Sequence, residues 1–281
     1  MLTWDGAEPP ALPPLTPRQR LRGGLRVAGL FALSAPMVAL FYVLRWVRRR
    51  VAPWFKAQFF IARLWARAML WLMGVRPVMV GRPMAGGGVW LVNHAGWADI
   101  LALRAVRLVN FVSKAEVRAW PGVGALADAA DTVFIERRRS ETRAQSAELA
   151  QRLRAGQLLC IFPEGTSSDG LRVLPFKSAL LSALYDDGVG AAMAQPVTLN
   201  WIAPPDLPAS FFGWWGSMSF EGHIWQVVCR ARGARVEIVF HPPRPVSDFA
   251  DRKALTRWAE DTVRSAKRDC APALYGSGEG R

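Results

Sequence analysis

From residue 75 onward the chain alternates short apolar runs with longer stretches whose apolar residues recur every three or four positions. The short runs are Val78–Val80, Val89–Val92, Asn110–Ser113, Thr132–Ile135, Leu158–Phe162, Pro196–Trp201 and Val236–Phe240. Their length and bounding turn residues predict buried strands. Helical spacing covers Asp99–Val106, Ser140–Arg154, Pro175–Tyr185 and Arg252–Lys267. Strand and helix alternating in this way predict an α/β fold, a mostly parallel sheet flanked by helices. No internal repeat interrupts the pattern.

Upstream the pattern changes. Residues 1–17 are rich in Pro and Ala without apolar periodicity, which predicts a disordered, basic N-terminus reaching to residue 24. Val27–Leu44 then runs 18 residues without a charge, about 27 Å as a helix and just short of a roughly 30 Å hydrocarbon core. Pro36 falls inside it and predicts a kink, hence a re-entrant or shallow helix. The arginine-rich stretch Arg45–Arg50 is a poor cleavage region, which argues against a signal peptide. A second segment, Ala57–Val75, is rich in Trp, Phe, Leu and Met, and Lys56, Arg63 and Arg67 share one helical face, as an interfacial helix requires. The chain thus divides into a disordered N-terminus (1–24), a membrane-associated helical pair (25–76), an α/β domain (77–270) and a flexible tail (271–281).

Charge sharpens this division. The chain of 281 residues carries a formal net charge of +14. Residues 1–98 hold 13 basic residues and two acids, so +11 of that excess belongs to the apolar N-terminal third. That placement points to an anionic lipid surface and away from nucleic acid. The three cysteines, Cys160, Cys229 and Cys270, show neither paired nor metal-ligand spacing, which fits a membrane protein whose domain faces a reducing cytoplasm.

Three stretches carry chemistry. The first is Asn93-His94-Ala95-Gly96-Trp97-Ala98-Asp99, directly after the apolar run ending at Val92. On one regular helix, positions five apart diverge by about 140°, so His94 and Asp99 meet only if His94 lies in the turn and Asp99 in the first helical turn. There the carboxylate would hold one ring nitrogen and leave the other as a base. The second is Thr132-Val133-Phe134-Ile135-Glu136-Arg137-Arg138-Arg139, a strand running into guanidinium groups suited to phosphate. The third is Phe162-Pro163-Glu164-Gly165-Thr166-Ser167-Ser168-Asp169-Gly170, at a strand end, where α/β sheets bind ligands. Gly165 permits close approach to the backbone there, and Glu164 can orient a substrate hydroxyl. A later stretch, Gln195-Pro196-Val197, is either an acyl-chain wall or an edge feature of its strand.

Taken in order, these blocks resemble the lysophospholipid (1-acylglycerol-3-phosphate) acyltransferase family, over roughly residues 55–265. That family has an Asn-His-x4-Asp motif, a Phe-Ile-x-Arg strand, a Pro-Glu-Gly-Thr loop and a late Pro-Val strand. The resemblance implies that His94 is the general base and Asp99 its partner. Arg137 would bind the acceptor head group, with Glu164, Gly165 and Thr166 shaping the acceptor side. It implies acyl-CoA or acyl-carrier protein as acyl donor, a lysophospholipid acceptor and membrane lipids as surroundings, with no cofactor, metal or acyl-enzyme. The family's commonest product, phosphatidate from 1-acylglycerol-3-phosphate, is the leading expectation.

One departure favours an alternative: Ser167 stands where the family usually has Arg. The run Glu164 to Gly170, and Trp214-Trp215-Gly216-Ser217-Met218 followed by His223 and Trp225, are similar to the lyso-ornithine lipid acyltransferase branch. Against that branch's own pattern, Ser217 replaces an expected Asp and Gly96 a common Ser, so the match is incomplete. Two other classes are weighed against acyl transfer. A serine hydrolase using Ser167 or Ser168 would lack the Gly-x-Ser-x-Gly elbow, and a catalytically silent membrane-binding protein would have no use for the ordered motifs.

Overall fold

The computed structural model describes residues 4–51, 57–119, 124, 132–135, 142–186, 188, 189 and 191–267. Within them, eight strands form one sheet: β1 (Val75–Gly81), β2 (Gly88–Val92), β3 (Asn110–Lys114), β4 (Val133–Ile135), β5 (Leu158–Ile161), β6 (Met193–Ile202), β7 (Ala234–Phe240) and β8 (Arg244–Pro245). The order is β1-β7-β6-β2-β5-β3-β4, with β8 added to β6. Every pairing is parallel except those of β6 with β7 and β8. β2 sits centrally between β5 and β6, and all five of its residues are buried.

Alternation along β2 splits the core into two layers, because successive side chains leave a strand on opposite faces. Trp90 and Val92 join the cluster built with α2 (Ala57–Met73), α3 (Ala98–Val106) and α5 (Phe220–Arg230). Val89 and Leu91 join the cluster of α4 (Thr142–Arg154), a 3-10 segment over Ser178–Tyr185 and α6 (Arg252–Ser265). That 3-10 segment stands where helical spacing predicted a helix over Pro175–Tyr185. The spacing did not announce α5.

Pro196 lies inside β6, not at an edge. Its missing N–H falls where β6 changes partners, between the register with β8 at Met193–Ala194 and the register with β7 from Val197 onward. Gln195 fills the same gap. Its amide donates to the carbonyls of Arg82 and His241, and its oxygen accepts from Met84 N–H and Trp90 Nε1–H. Gln195 and Val197 are fully enclosed in the core, so this stretch braces the sheet.

The N-terminal third departs most from expectation. α1 (Pro17–Arg50) starts well before residue 25, because Thr16 and Gln19 form a capping box and Pro17 occupies the first helical position. Pro36 lies within the helix without ending it. By length and composition α1 can cross a membrane. Residues 4–16, expected to be disordered, lie against the domain. Trp4 N–H donates to Ser167 O (3.3 Å), Gly216 N–H to Trp4 O (3.0 Å) and Trp215 Nε1–H to Ala7 O (2.6 Å). Leu12 packs on the core.

The arginines also take different work from that expected. Arg63 and Arg67 both donate to Ala105 O, at 3.2 and 2.9 Å, capping the C-terminal end of α3, while Arg67 stays exposed and Lys56 lies outside the described residues. Arg26 does the same for α5, donating to Val228 O and Ala231 O at 2.8 and 2.9 Å. Ser34 Oγ accepts from Trp65 Nε1–H at 2.9 Å, joining α1 to α2. Beside exposed arginines such as Arg18, Arg20, Arg49 and Arg50, the pair exposes large apolar side chains: Leu21, Leu25, Phe31 and Trp46 on α1, with Phe60, Leu64 and Trp71 on α2. The tail from 271, Cys270 and the segment 136–140 lie outside the described residues.

Candidate active site

The site forms where β2 and β5, adjacent and parallel, both end. β2 delivers Asn93 and His94, and β5 delivers Phe162, Pro163 and Glu164. Asn93 locks the first turn to β6, its amide donating to Leu199 O (3.1 Å) and its oxygen accepting from Leu199 N–H (2.7 Å). Chain direction then reverses into α3. As the spacing required, His94 lies in the turn and Asp99 in the first helical turn.

Asp99 is wholly buried. Its Oδ2 lies 2.8 Å from His94 Nδ1 and accepts from Ala95 N–H (2.7 Å) and Gly96 N–H (3.0 Å). Its Oδ1 accepts from Trp201 Nε1–H at 2.6 Å. Such a carboxylate orients the ring so that Nδ1 carries the proton, leaving Nε2 to act as base. The His94 side chain is 20% exposed, so substrate can reach it. Its other constraint is Phe162, whose ring stacks on the imidazole at 4.0 Å between centroids.

Glu164 reaches the chemistry only through the backbone. Its Oε1 accepts from His94 N–H (2.7 Å) and its Oε2 from Leu174 N–H (3.0 Å), and the side chain is 1% exposed. It therefore ties the His94 turn to the segment after the β5 loop instead of facing an acceptor hydroxyl. Burial pushes its pKa up from 4.5 to about 8, against the smaller, opposite effect of the two N–H donors. Over pH 4.5 to 8 the folded chain holds a proton that the unfolded chain has released. This contribution is complete below pH 4.5 and is lost as pH rises towards 8. Glu164→Gln is expected to flatten that fall. Urea unfolding at intervals from pH 5 to 8 checks it, and equal slopes in both proteins would refute the assignment.

The rest of the loop braces the site. Ser168 donates through N–H and Oγ to His94 O, both at 3.1 Å, and Ser167 Oγ donates to Trp214 O at 2.6 Å. Neither hydroxyl donates to the imidazole, so neither serine is poised as a hydrolase nucleophile. Gly165 adopts φ +67° and lies beside Lys177, whose Nζ stands 3.2 Å from where a Cβ would be. Thr166 is half-buried. Asp169 pairs with Arg172 at 2.8 Å, and the Arg172 guanidinium lies 4.9 Å from the centre of the Trp4 ring. Arg137 lies outside the described residues.

The late aromatic motif closes the other side. Trp214 N–H donates to Ala95 O at 2.9 Å. His223 accepts from Trp97 Nε1–H at 2.9 Å and lies 3.1 Å from Phe211 O, with burial lowering its pKa to about 4. Gly96 fits this wall closely, since a Cβ there would come within 3.2 Å of Phe212 O and Trp214 Cβ. The sequence marked His94 and Asp99, which the structure brings together. It gave no signal for the Trp201 contact, made across 102 residues.

Comparison with known proteins gives a consistent result. An acyltransferase family profile matches residues 76–199. The lyso-ornithine lipid O-acyltransferase of Rhodobacter capsulatus is 42% identical over 93% of this chain and 96% of its own. A 1-acyl-sn-glycerol-3-phosphate acyltransferase of Neisseria gonorrhoeae is 29% identical over 68% of this chain and 75% of its own. Among solved structures, the 1-acyl-sn-glycerophosphate acyltransferase PlsC of Thermotoga maritima superposes with a TM-score of 0.61 at 19% identity. It covers 92% of this chain and 95% of that one, and so shares the fold.

Proposed function

Because the chain belongs to the lysophospholipid acyltransferase family, we propose that His94 and Asp99 transfer a fatty acyl group to the hydroxyl of a lyso-ornithine lipid. The observation that carries the chemistry is the His94 Nδ1 to Asp99 Oδ2 contact of 2.8 Å, with Asp99 enclosed and Nε2 left to the substrate side. The acceptor hydroxyl gives its proton to Nε2 as its oxygen attacks the thioester carbonyl of acyl-CoA or acyl-carrier protein. Asp99 stabilises the imidazolium that forms. Collapse of the tetrahedral intermediate breaks the C–S bond, and the leaving thiolate takes the proton back from Nε2. The products are a new ester and a free thiol, with no acyl-enzyme, metal or other cofactor in the sequence of steps. Arg137, with Gly165 and Thr166, is assigned to the acceptor side. The active site faces the cytoplasm, where both donors are found.

The acceptor assignment rests on the 42% identity over nearly the whole chain to a lyso-ornithine lipid acyltransferase. The second reading, 1-acylglycerol-3-phosphate giving phosphatidate, is supported by the 29% identity to enzymes named for it. An acceptor panel with labelled acyl donor separates them. Higher kcat/KM with lysophosphatidate than with lyso-ornithine lipid would reverse the order.

Ser167 bears on the same choice. It is 4% exposed and bonded to Trp214 O, so no open position awaits the guanidinium that the family usually carries there. Ser167→Arg is therefore expected to lower kcat/KM for both acceptors by roughly tenfold or more, the cost of losing a buried hydrogen bond and inserting a charge. A selective gain with lysophosphatidate would show that the pocket accepts an arginine after all.

A further inference from the structure

Asp99 must present Oδ2 to His94 throughout the reaction, and a carboxylate held on one oxygen can pivot. The three contacts on Oδ2 come from its own turn: the His94 ring, Ala95 N–H and Gly96 N–H. Among the described residues, Oδ1 has one donor, Trp201 Nε1–H, at 2.6 Å. Trp201 stands near the end of β6, 8% exposed, with its ring stacked on Phe212 at 4.4 Å. Phe212 is itself 1% exposed, and the residues after it hold Ala95, so the indole has little freedom.

The type of donor matters as much as its place. A lysine or arginine on Oδ1 would form an ion pair and compete with the imidazolium for the carboxylate's charge. An indole N–H is a donor only and carries no charge. It fixes the carboxylate without neutralising it, so the full negative charge remains available when His94 takes up a proton.

From this geometry we infer that Trp201 is a positioning residue for acyl transfer, holding Asp99 Oδ1 so that Oδ2 remains aimed at His94 Nδ1. The inference rests on the proposed acyl transfer by His94 and Asp99, and the experiment keeps the two apart.

Trp201→Phe retains an aromatic ring against Phe212 and deletes the N–H. In the full-length protein in vesicles, kcat should fall by about tenfold to a hundredfold, the range for losing a hydrogen bond to a charged group. KM for donor and acceptor should stay unchanged, while the thermal midpoint falls modestly with the protein still folded, because one buried carboxylate oxygen loses its donor. A structural defect would act whatever occupies position 99, so the same change is then made in Asp99→Ala and followed by long incubation with radiolabelled donor. There Trp201→Phe should cost nothing further, because groups acting as one unit are not additive. Losses that multiply, a raised KM with intact kcat, a wild-type kcat, or unfolding of Trp201→Phe would each overturn the inference. Failure of the wild-type protein to acylate any lysolipid would instead overturn the acyl-transfer reading.

Discussion

Replacing His94 by Ala is expected to lower kcat by about 10²–10⁴-fold, the range for removing a general base, while leaving fold and membrane binding intact. The side chain is 20% exposed and, among the described residues, its one polar contact is with Asp99, so its loss leaves the core unchanged. Asp99→Asn should also be severe, for two reasons. It removes the charge that stabilises the imidazolium, and it puts an amide where Oδ2 accepts three contacts and Oδ1 a fourth. Either orientation of the amide sets its NH₂ against an existing donor. Asp99→Asn should therefore lose stability as well as rate, whereas His94→Ala should lose rate alone. Single-turnover acyl transfer and thermal unfolding, measured side by side, test this. His94→Ala retaining near wild-type turnover would exclude direct transfer through His94.

The second large effect concerns the membrane. Phe31, Trp46 and Trp71 are 74%, 60% and 77% exposed, with no protein surface covering most of their area. Burying an aromatic side chain in an apolar phase contributes roughly 1.5–3 kcal/mol. A triple change to Ser should then weaken partitioning into vesicles by roughly a thousandfold or more. Point changes test this better than deletion of the first 76 residues. Ala66, Met69, Leu70 and Met73 of α2 are buried in the core, and Arg26 and Arg63 cap helices of the domain. Flotation with anionic vesicles at low and high salt is the measurement. If the triple variant floats like the wild type in high salt, something other than this apolar face holds the protein to the bilayer.

The local pattern was enough to specify the sheet-and-helix alternation, because strands buried on both faces must be apolar throughout and leave a visible run. β2 and β5 were legible for that reason, and so was the His94 to Asp99 pairing, since both partners lie within one turn. Contacts between distant segments leave no such trace. Whether a basic stripe also caps a helix end depends on which carbonyls lie opposite, and the packing of α2 on α3 makes Arg63 and Arg67 cap α3. Glu164 has the residue type of a substrate ligand, yet burial and two backbone N–H groups make it a brace. Residues 4–16 lack the apolar periodicity that predicts order, and are held by carbonyls and indoles that the tertiary fold brings to them. Trp201 is the clearest case: nothing around it in the chain distinguishes it from a core tryptophan, and only the return of β6 beside β2 sets its N–H on Asp99.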